Sequence, residues 1–105
     1  MSSHFNKLTP AQAERLAILI EECGEVIQAA TKILRHGYTS KHPDTGVTNT
    51  TLLERELGDL QFAVELCERG GDISSCEVQN NAAVKELRLI RSGFLHHNNY
   101  LIDNN

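Results

Sequence analysis

Two stretches of this chain repeat apolar residues at the spacing of an α-helix, and each sets acidic residues inside its own apolar arc. The first stretch runs from Leu16 to Leu34 and the second from Leu52 to Cys67. A helix turns about 100° per residue. On the second stretch this puts Leu53, Leu57, Leu60, Val64 and Cys67 on one stripe, widened by Leu52, Phe62, Ala63 and Leu66. Glu54, Gln61, Glu65 and Glu68 fill the opposite side, but Glu56 and Asp59 project within the apolar arc, beside Leu52, Ala63 and Leu66. On the first stretch Glu22 projects between Ile18, Ala29 and Ile33, and Glu25 lies at the border of the arc, near Ile18. Glu21 points further round, towards Glu14, Gln28 and Lys32. Carboxylates on a face that packs lose hydration and repel one another, so they call for protonation, a basic partner or a cation.

The ends of the elements are marked. Thr9-Pro10-Ala11-Gln12 reads as a capping box with proline at the first helical position, and Gly37 after Arg35-His36 reads as a stop. A second helix is expected from about Asn49–Thr51 to Arg69, ended by Gly70-Gly71. Ser74-Ser75-Cys76-Glu77 opens a third, expected to run to about His97 with Gly93 as a kink or frayed point. Residues 1–8 and 98–105 read as loose ends, and 38–50 as a long polar loop of the kind that often carries function. No strand alternation, repeat or low-complexity segment interrupts this pattern. The expectation is a single all-α domain, antiparallel helices completing a four-helix core by oligomerisation.

With 105 residues there is room for one domain. The net charge of −4 argues against a duplex nucleic-acid binder. It leaves room for a nucleotide substrate, because a bound metal supplies local positive charge. The three cysteines, Cys23, Cys67 and Cys76, form no CxxC pair and read as free thiols of a reducing compartment. No apolar run approaches a membrane span and no signal-peptide core is present, so a soluble, cytoplasmic protein with no membrane partner is expected.

Antiparallel packing of the first two helices brings Glu22 and Glu25 opposite Glu56 and Asp59. An all-oxygen set of this kind favours Mg²⁺ or Mn²⁺, and the absence of Glu-x-x-His argues against a ferritin-like di-iron centre. The residues Glu21-Glu22-Cys23-Gly24-Glu25 and Glu56-Leu57-Gly58-Asp59, with their flanks EECGEVIQA and ELGDLQFAVEL, resemble the E-E-x-x-E and E-x-x-D motifs of the MazG-like all-α nucleoside triphosphate pyrophosphohydrolases. The similarity spans about residues 10–97. It implies a MazG-like helical bundle built as a homodimer or homotetramer, with Mg²⁺ (Mn²⁺ as substitute) held by Glu22, Glu25, Glu56 and Asp59. The activity it implies is cleavage of an NTP or dNTP to the monophosphate and pyrophosphate, in nucleotide pool control or house-cleaning. Glu22 and Glu25 are the candidates to take a proton from the attacking water. Glu21 matches the family's first glutamate and is a candidate to orient a basic residue or a water. Lys32 and Lys85 are the candidate phosphate contacts, ahead of Arg35, Arg88 and Arg91. Tyr38 and the 38–50 loop stand as a candidate cover for the base or the metal; Asn80-Asn81 read as polar surface ahead of a contact to a base edge, and His96-His97 as a loose helix end ahead of a phosphate contact. Competing expectations are a dUTPase, a dCTPase or a phosphoribosyl-ATP pyrophosphohydrolase on the same scaffold, and a non-catalytic nucleotide-binding helical module.

Overall fold

The computed structural model describes residues 6–93. They contain three helices, α1 Pro10–His36, α2 Asn49–Arg69 and α3 Ser75–Ser92, and no strand longer than the isolated bridge between Lys41 and Thr48. None of these helices is long and apolar enough to cross a membrane.

Each helix starts where a side-chain oxygen satisfies an otherwise orphaned backbone donor. Thr9 Oγ1 accepts from Gln12 N at 3.1 Å while Thr9 N donates to Gln12 Oε1 at 2.9 Å, the reciprocal capping box expected there. Thr48 caps α2 by accepting from Thr51 N, and Ser74 caps α3 by accepting from Glu77 N. At the other end of α1, Gly37 donates its N–H to Ile33 O and adopts φ 87°, a conformation that favours glycine. Gly93 (φ 68°, left-handed) closes α3 after Ser92. Among the described residues α3 thus ends at Ser92 with Gly93 as its cap, and the expected continuation to His97 falls outside them. Residues His96 and His97 lie outside the described residues.

The chain divides into two compact units, residues 1–72 and 73–105. In the first, α1 and α2 pack antiparallel. Their two ends are tied separately. At one end Arg15, near the start of α1, makes a bidentate pair with Asp72, just past α2, with Nε–Oδ2 at 2.6 Å and Nη2–Oδ1 at 2.9 Å. Gly70 lies against the Arg15 guanidinium, and a Cβ there would collide with it. At the other end Asn49 Nδ2 donates to Gly37 O at 2.9 Å, which joins the last turn of α1 to the first turn of α2.

Between these ties the core is small. Ala29, Ala63 and Cys67 are its fully buried apolar residues. The small side chains of Ala29 and Ala63 suit close approach of the two helices. Leu52, Leu53, Leu60, Val64 and Leu66 are half-buried. Leu57 and Phe62, expected on the packed stripe of α2, are exposed, as are Ile20 (70%), Ile27 and Leu34 (88%) on α1. A two-helix layer has one packed seam, and an apolar arc as wide as this sequence carries cannot fit within it. In the second unit α3 exposes Val78, Val84, Leu87 and Ile90.

Candidate functional site

The antiparallel pairing of α1 and α2 brings five carboxylates to the middle of the helix pair. Glu21, Glu22 and Glu25 each present an oxygen, and these oxygens lie within 4.8 Å of one another. Glu22, Glu25 and Glu56 are half-buried, while Glu21 and Asp59 are exposed. Spacing of three and four residues on α1, and of three on α2, stacks the acids of each helix along one face. The antiparallel packing then sets the two faces opposite each other.

The electrostatics of the group show this proximity across the helices. The Glu22 carboxyl sits above the ordinary carboxylate range because packing desolvates it, and because Glu25, Asp59 and Glu21 repel its charge. Glu56 is raised as well, first by desolvation and then by Glu25, which both repels it and shares a hydrogen bond with it; Asp59 and Glu22 add to the repulsion. Glu56 therefore holds a proton more tightly than a solvated glutamate does. Among the described residues the ion pairs are Arg15–Asp72 and Arg69–Glu65, and neither involves this cluster. Glu21, whose helical direction pointed to the polar side, joins Glu22 and Glu25 because a glutamate side chain spans the angular gap between neighbouring positions.

About two turns beyond Glu25 on α1, and immediately before Glu56 on α2, the end of the hairpin changes sign. A cavity of about 470 Å³ opens between the last turns of α1, the connection that follows it and the first turns of α2, with Lys32, Arg35, Lys41 and Arg55 in its lining. Lys32, one of the two candidate phosphate contacts, is part of this wall. Lys85, the other, is exposed on α3 in the second unit, and so are Asn80 and Asn81.

The connection itself, expected as a loop over 38–50, is ordered by its own hydrogen bonds. His42 N donates to Val47 O at 2.8 Å and Gly46 N donates to His42 O at 2.9 Å. Asn49 N donates to Ser40 O and Thr50 N to Tyr38 O, both at 3.0 Å. Tyr38 contributes its backbone carbonyl to this arrangement, accepting also from Thr50 Oγ1, and its side chain is exposed. Sequence reasoning missed the part that Arg55, Lys41, His36 and His42 take in one cavity. Arg55 carried a usable signal, since it lies next to Glu56 at the entry of α2. The loop residues carried none, because their meeting depends on turns that the periodicity of helices does not report.

No family model, curated protein or solved structure matches the chain.

Proposed function

We propose that this protein is a divalent-cation-dependent nucleoside triphosphate pyrophosphohydrolase of the MazG-like kind. The observation that carries the reading is the cluster itself. Glu22, Glu25, Glu56 and Asp59 come from two helices to one place, with no Lys or Arg paired to them among the described residues and with Glu22 and Glu56 held above their ordinary range by desolvation first and by repulsion from the neighbouring acids second. A fold that assembles so much uncompensated negative charge is strained without a cation. The donors are all oxygen, the set that suits Mg²⁺ or Mn²⁺.

In this reading Glu22, Glu25, Glu56 and Asp59 hold the metal, and Glu21 stands beside them to orient water. The metal, when bound, neutralises phosphate charge and lowers the pKa of water. The chain's own part is to position the α-phosphorus over the carboxylates and to accept a proton. Glu22 or Glu25 takes the proton of the attacking water as its oxygen bonds to the α-phosphorus. The bond from that phosphorus to the bridging oxygen breaks, and pyrophosphate leaves with the electron pair. Lys32 lies about two turns beyond Glu25 on the same helix, within the reach of a triphosphate held at the carboxylates.

The same reading includes completion of the core by a second copy. Its support is the set of large apolar side chains left exposed on α1 and α2, Ile20, Ile27, Leu34, Leu57 and Phe62. Light scattering coupled to gel filtration is expected to give a dimer or tetramer mass; a monomer at micromolar concentration sinks this part.

The deciding assay incubates purified protein with a panel of NTPs and dNTPs and follows products by chromatography, with Mg²⁺ or with EDTA. Monophosphate and pyrophosphate in equal amounts, abolished by EDTA and by Asp59→Asn, are expected. Absence of turnover on every nucleotide, with the protein folded and Mg²⁺ present, would overturn the proposal.

A further inference from the structure

The chain is acidic overall, with ten Lys and Arg against fourteen Asp and Glu, yet four of those ten line one cavity. Lys32 and Arg35 come from α1, Lys41 from the connection and Arg55 from α2; His36 and His42 complete the ring, and no carboxylate is part of the lining. None of the four cations is in an ion pair with a described residue. We propose that this cavity is a binding site for a diphosphoryl group, filled by side-chain cations and occupied without a divalent metal.

Three observations support the assignment. The first is charge: four unpaired cations around one cavity repel one another until an anion enters, and a diphosphoryl group carries about two to three negative charges near neutral pH, which the four fixed cations of the wall can neutralise. Its size, about 470 Å³, falls in the range of about 300–1,000 Å³ of small-molecule sites and exceeds what one phosphate fills. The third is order. The wall is fixed before any ligand arrives, by the buried Asn49 (8% exposed) donating to Gly37 O and by the turn hydrogen bonds of residues 38–50.

The helix end itself does not do this work. An anion at a helix N-terminus is usually held by free backbone N–H groups. Here all four of the first N–H groups of α2 are already used. Asn49 N, Thr50 N and Leu52 N donate to Ser40 O, Tyr38 O and Thr48 O, and Thr51 N donates to Thr48 Oγ1. The side chains must therefore hold the ligand, and Arg35 and Arg55 have the forked geometry that matches phosphoryl oxygens. His42 adds a donor of fixed direction. Its Nδ1 accepts from Asp44 N at 3.1 Å, which places the ring proton on Nε2.

Two sources supply a diphosphoryl group: free pyrophosphate, or the β- and γ-phosphates of a nucleoside triphosphate. A role in catalysis rests on the function proposed above; the binding itself does not.

The test is titration calorimetry with sodium pyrophosphate in EDTA at pH 7 and low ionic strength. Saturable binding at one per chain is expected, weakened at least tenfold in the Arg35→Ala/Arg55→Ala double variant and unchanged or tightened in Glu56→Gln. Lys41→Ala, which alters only an exposed loop side chain, is expected to weaken binding at least threefold with circular dichroism unchanged. Absence of binding in EDTA, equal binding in the double variant, or loss of binding in Glu56→Gln would each overturn the assignment. An α,β-imido nucleoside triphosphate added in EDTA identifies the source. Competition supports the site with the triphosphate tail as ligand, and binding of pyrophosphate alone supports it with the free anion as ligand. Nucleotide hydrolysis absent while pyrophosphate binding persists would remove the proposed function and leave this site standing.

Discussion

Replacing Glu56 by Gln separates a cation site from a group of solvated acids, because the two make opposite predictions for stability. Glu56 is half-buried on α2 and faces Glu25, Asp59 and Glu22, with a hydrogen bond to Glu25. Two unit charges about 4 Å apart repel by about 1 kcal/mol in bulk water. The group is partly exposed, so solvent screening reduces the relief to about 0.5–1 kcal/mol. Glutamine keeps the volume and the hydrogen-bonding capacity and removes the charge. For a domain of this size each kcal/mol moves Tm by about 4–8 °C. The metal-free variant is therefore expected to melt about 2–8 °C above the metal-free wild type.

Mg²⁺ should reverse the order. A ligand that binds only the folded state at about ten times its Kd stabilises by about 1.4 kcal/mol, which is about 6–11 °C here. The wild type is expected to gain that much on titration with MgCl₂ and the variant to gain little, with nucleotide turnover lost in the variant. The assay is differential scanning fluorimetry at pH 7, in EDTA and across a Mg²⁺ series, with NaCl at matched ionic strength as control. A Glu56→Gln variant that melts lower than wild type in EDTA, or that responds equally to Mg²⁺, would refute the reasoning.

Other consequences follow from particular contacts. In EDTA, Tm is expected to rise as pH falls from neutrality towards the ordinary carboxylate range, because Glu22 and Glu56, with raised pKa values, favour the fold when protonated and lose that contribution as pH climbs through those values. In stronger acid Tm should fall, because Asp72 is held below its ordinary range chiefly by its hydrogen bond to Arg15, and that contribution disappears as pH drops through the lowered value. A melting temperature that rises steadily from acid to neutral pH would contradict the first half of this profile. Arg15→Lys keeps the charge but loses the two-pronged contact with Asp72, so chemical denaturation should show a lower midpoint; an unchanged midpoint would show that the pair does not hold the end of the hairpin. Ala63 has no exposed surface at the α1–α2 seam, so Ala63→Leu overpacks it and is expected to cost about 1–3 kcal/mol, read as a shifted urea midpoint.

The helices were legible in the sequence because their signals are local. Thr9 with Gln12, Gly37, and Ser74 with Glu77 act within a turn or two of their own position, and each does in the structure what its residue type implies. The approach of Glu22 and Glu25 to Glu56 was legible too, because helical direction and antiparallel packing leave the two acidic faces few other places to go. Two things were not. Helix spacing marks Leu57 and Phe62 as apolar positions but does not say how many seams exist to cover them, and one seam leaves both exposed. The cationic cavity depends on where the backbone of residues 38–48 turns, and that is set by pairings such as Asn49 with Gly37 across twelve residues. A composition rich in Thr, Ser, Pro and Gly announces a loop without giving its path.

The order of charge along the hairpin has a consequence for how an anionic ligand meets it. Glu22 and Glu25 lie in the middle of α1, and Lys32 and Arg35 lie about two to three turns further on, at a rise of about 1.5 Å per residue. On α2 the change of sign takes a single step, from Arg55 to Glu56. Without a cation, the carboxylates repel a phosphate chain while the cavity attracts it, so binding begins at the cationic end. With a cation, both ends attract, and a chain of phosphates can lie along the seam from one to the other. Metal should therefore tighten binding of a triphosphate much more than that of pyrophosphate, because only the longer chain reaches from the cavity to the carboxylates. The ratio of the two affinities, measured with Mg²⁺ and with EDTA on Asp59→Asn and wild type, reads this directly. A ratio that Mg²⁺ leaves unchanged in the wild type would mean that the acidic and basic halves of the hairpin act on separate ligands.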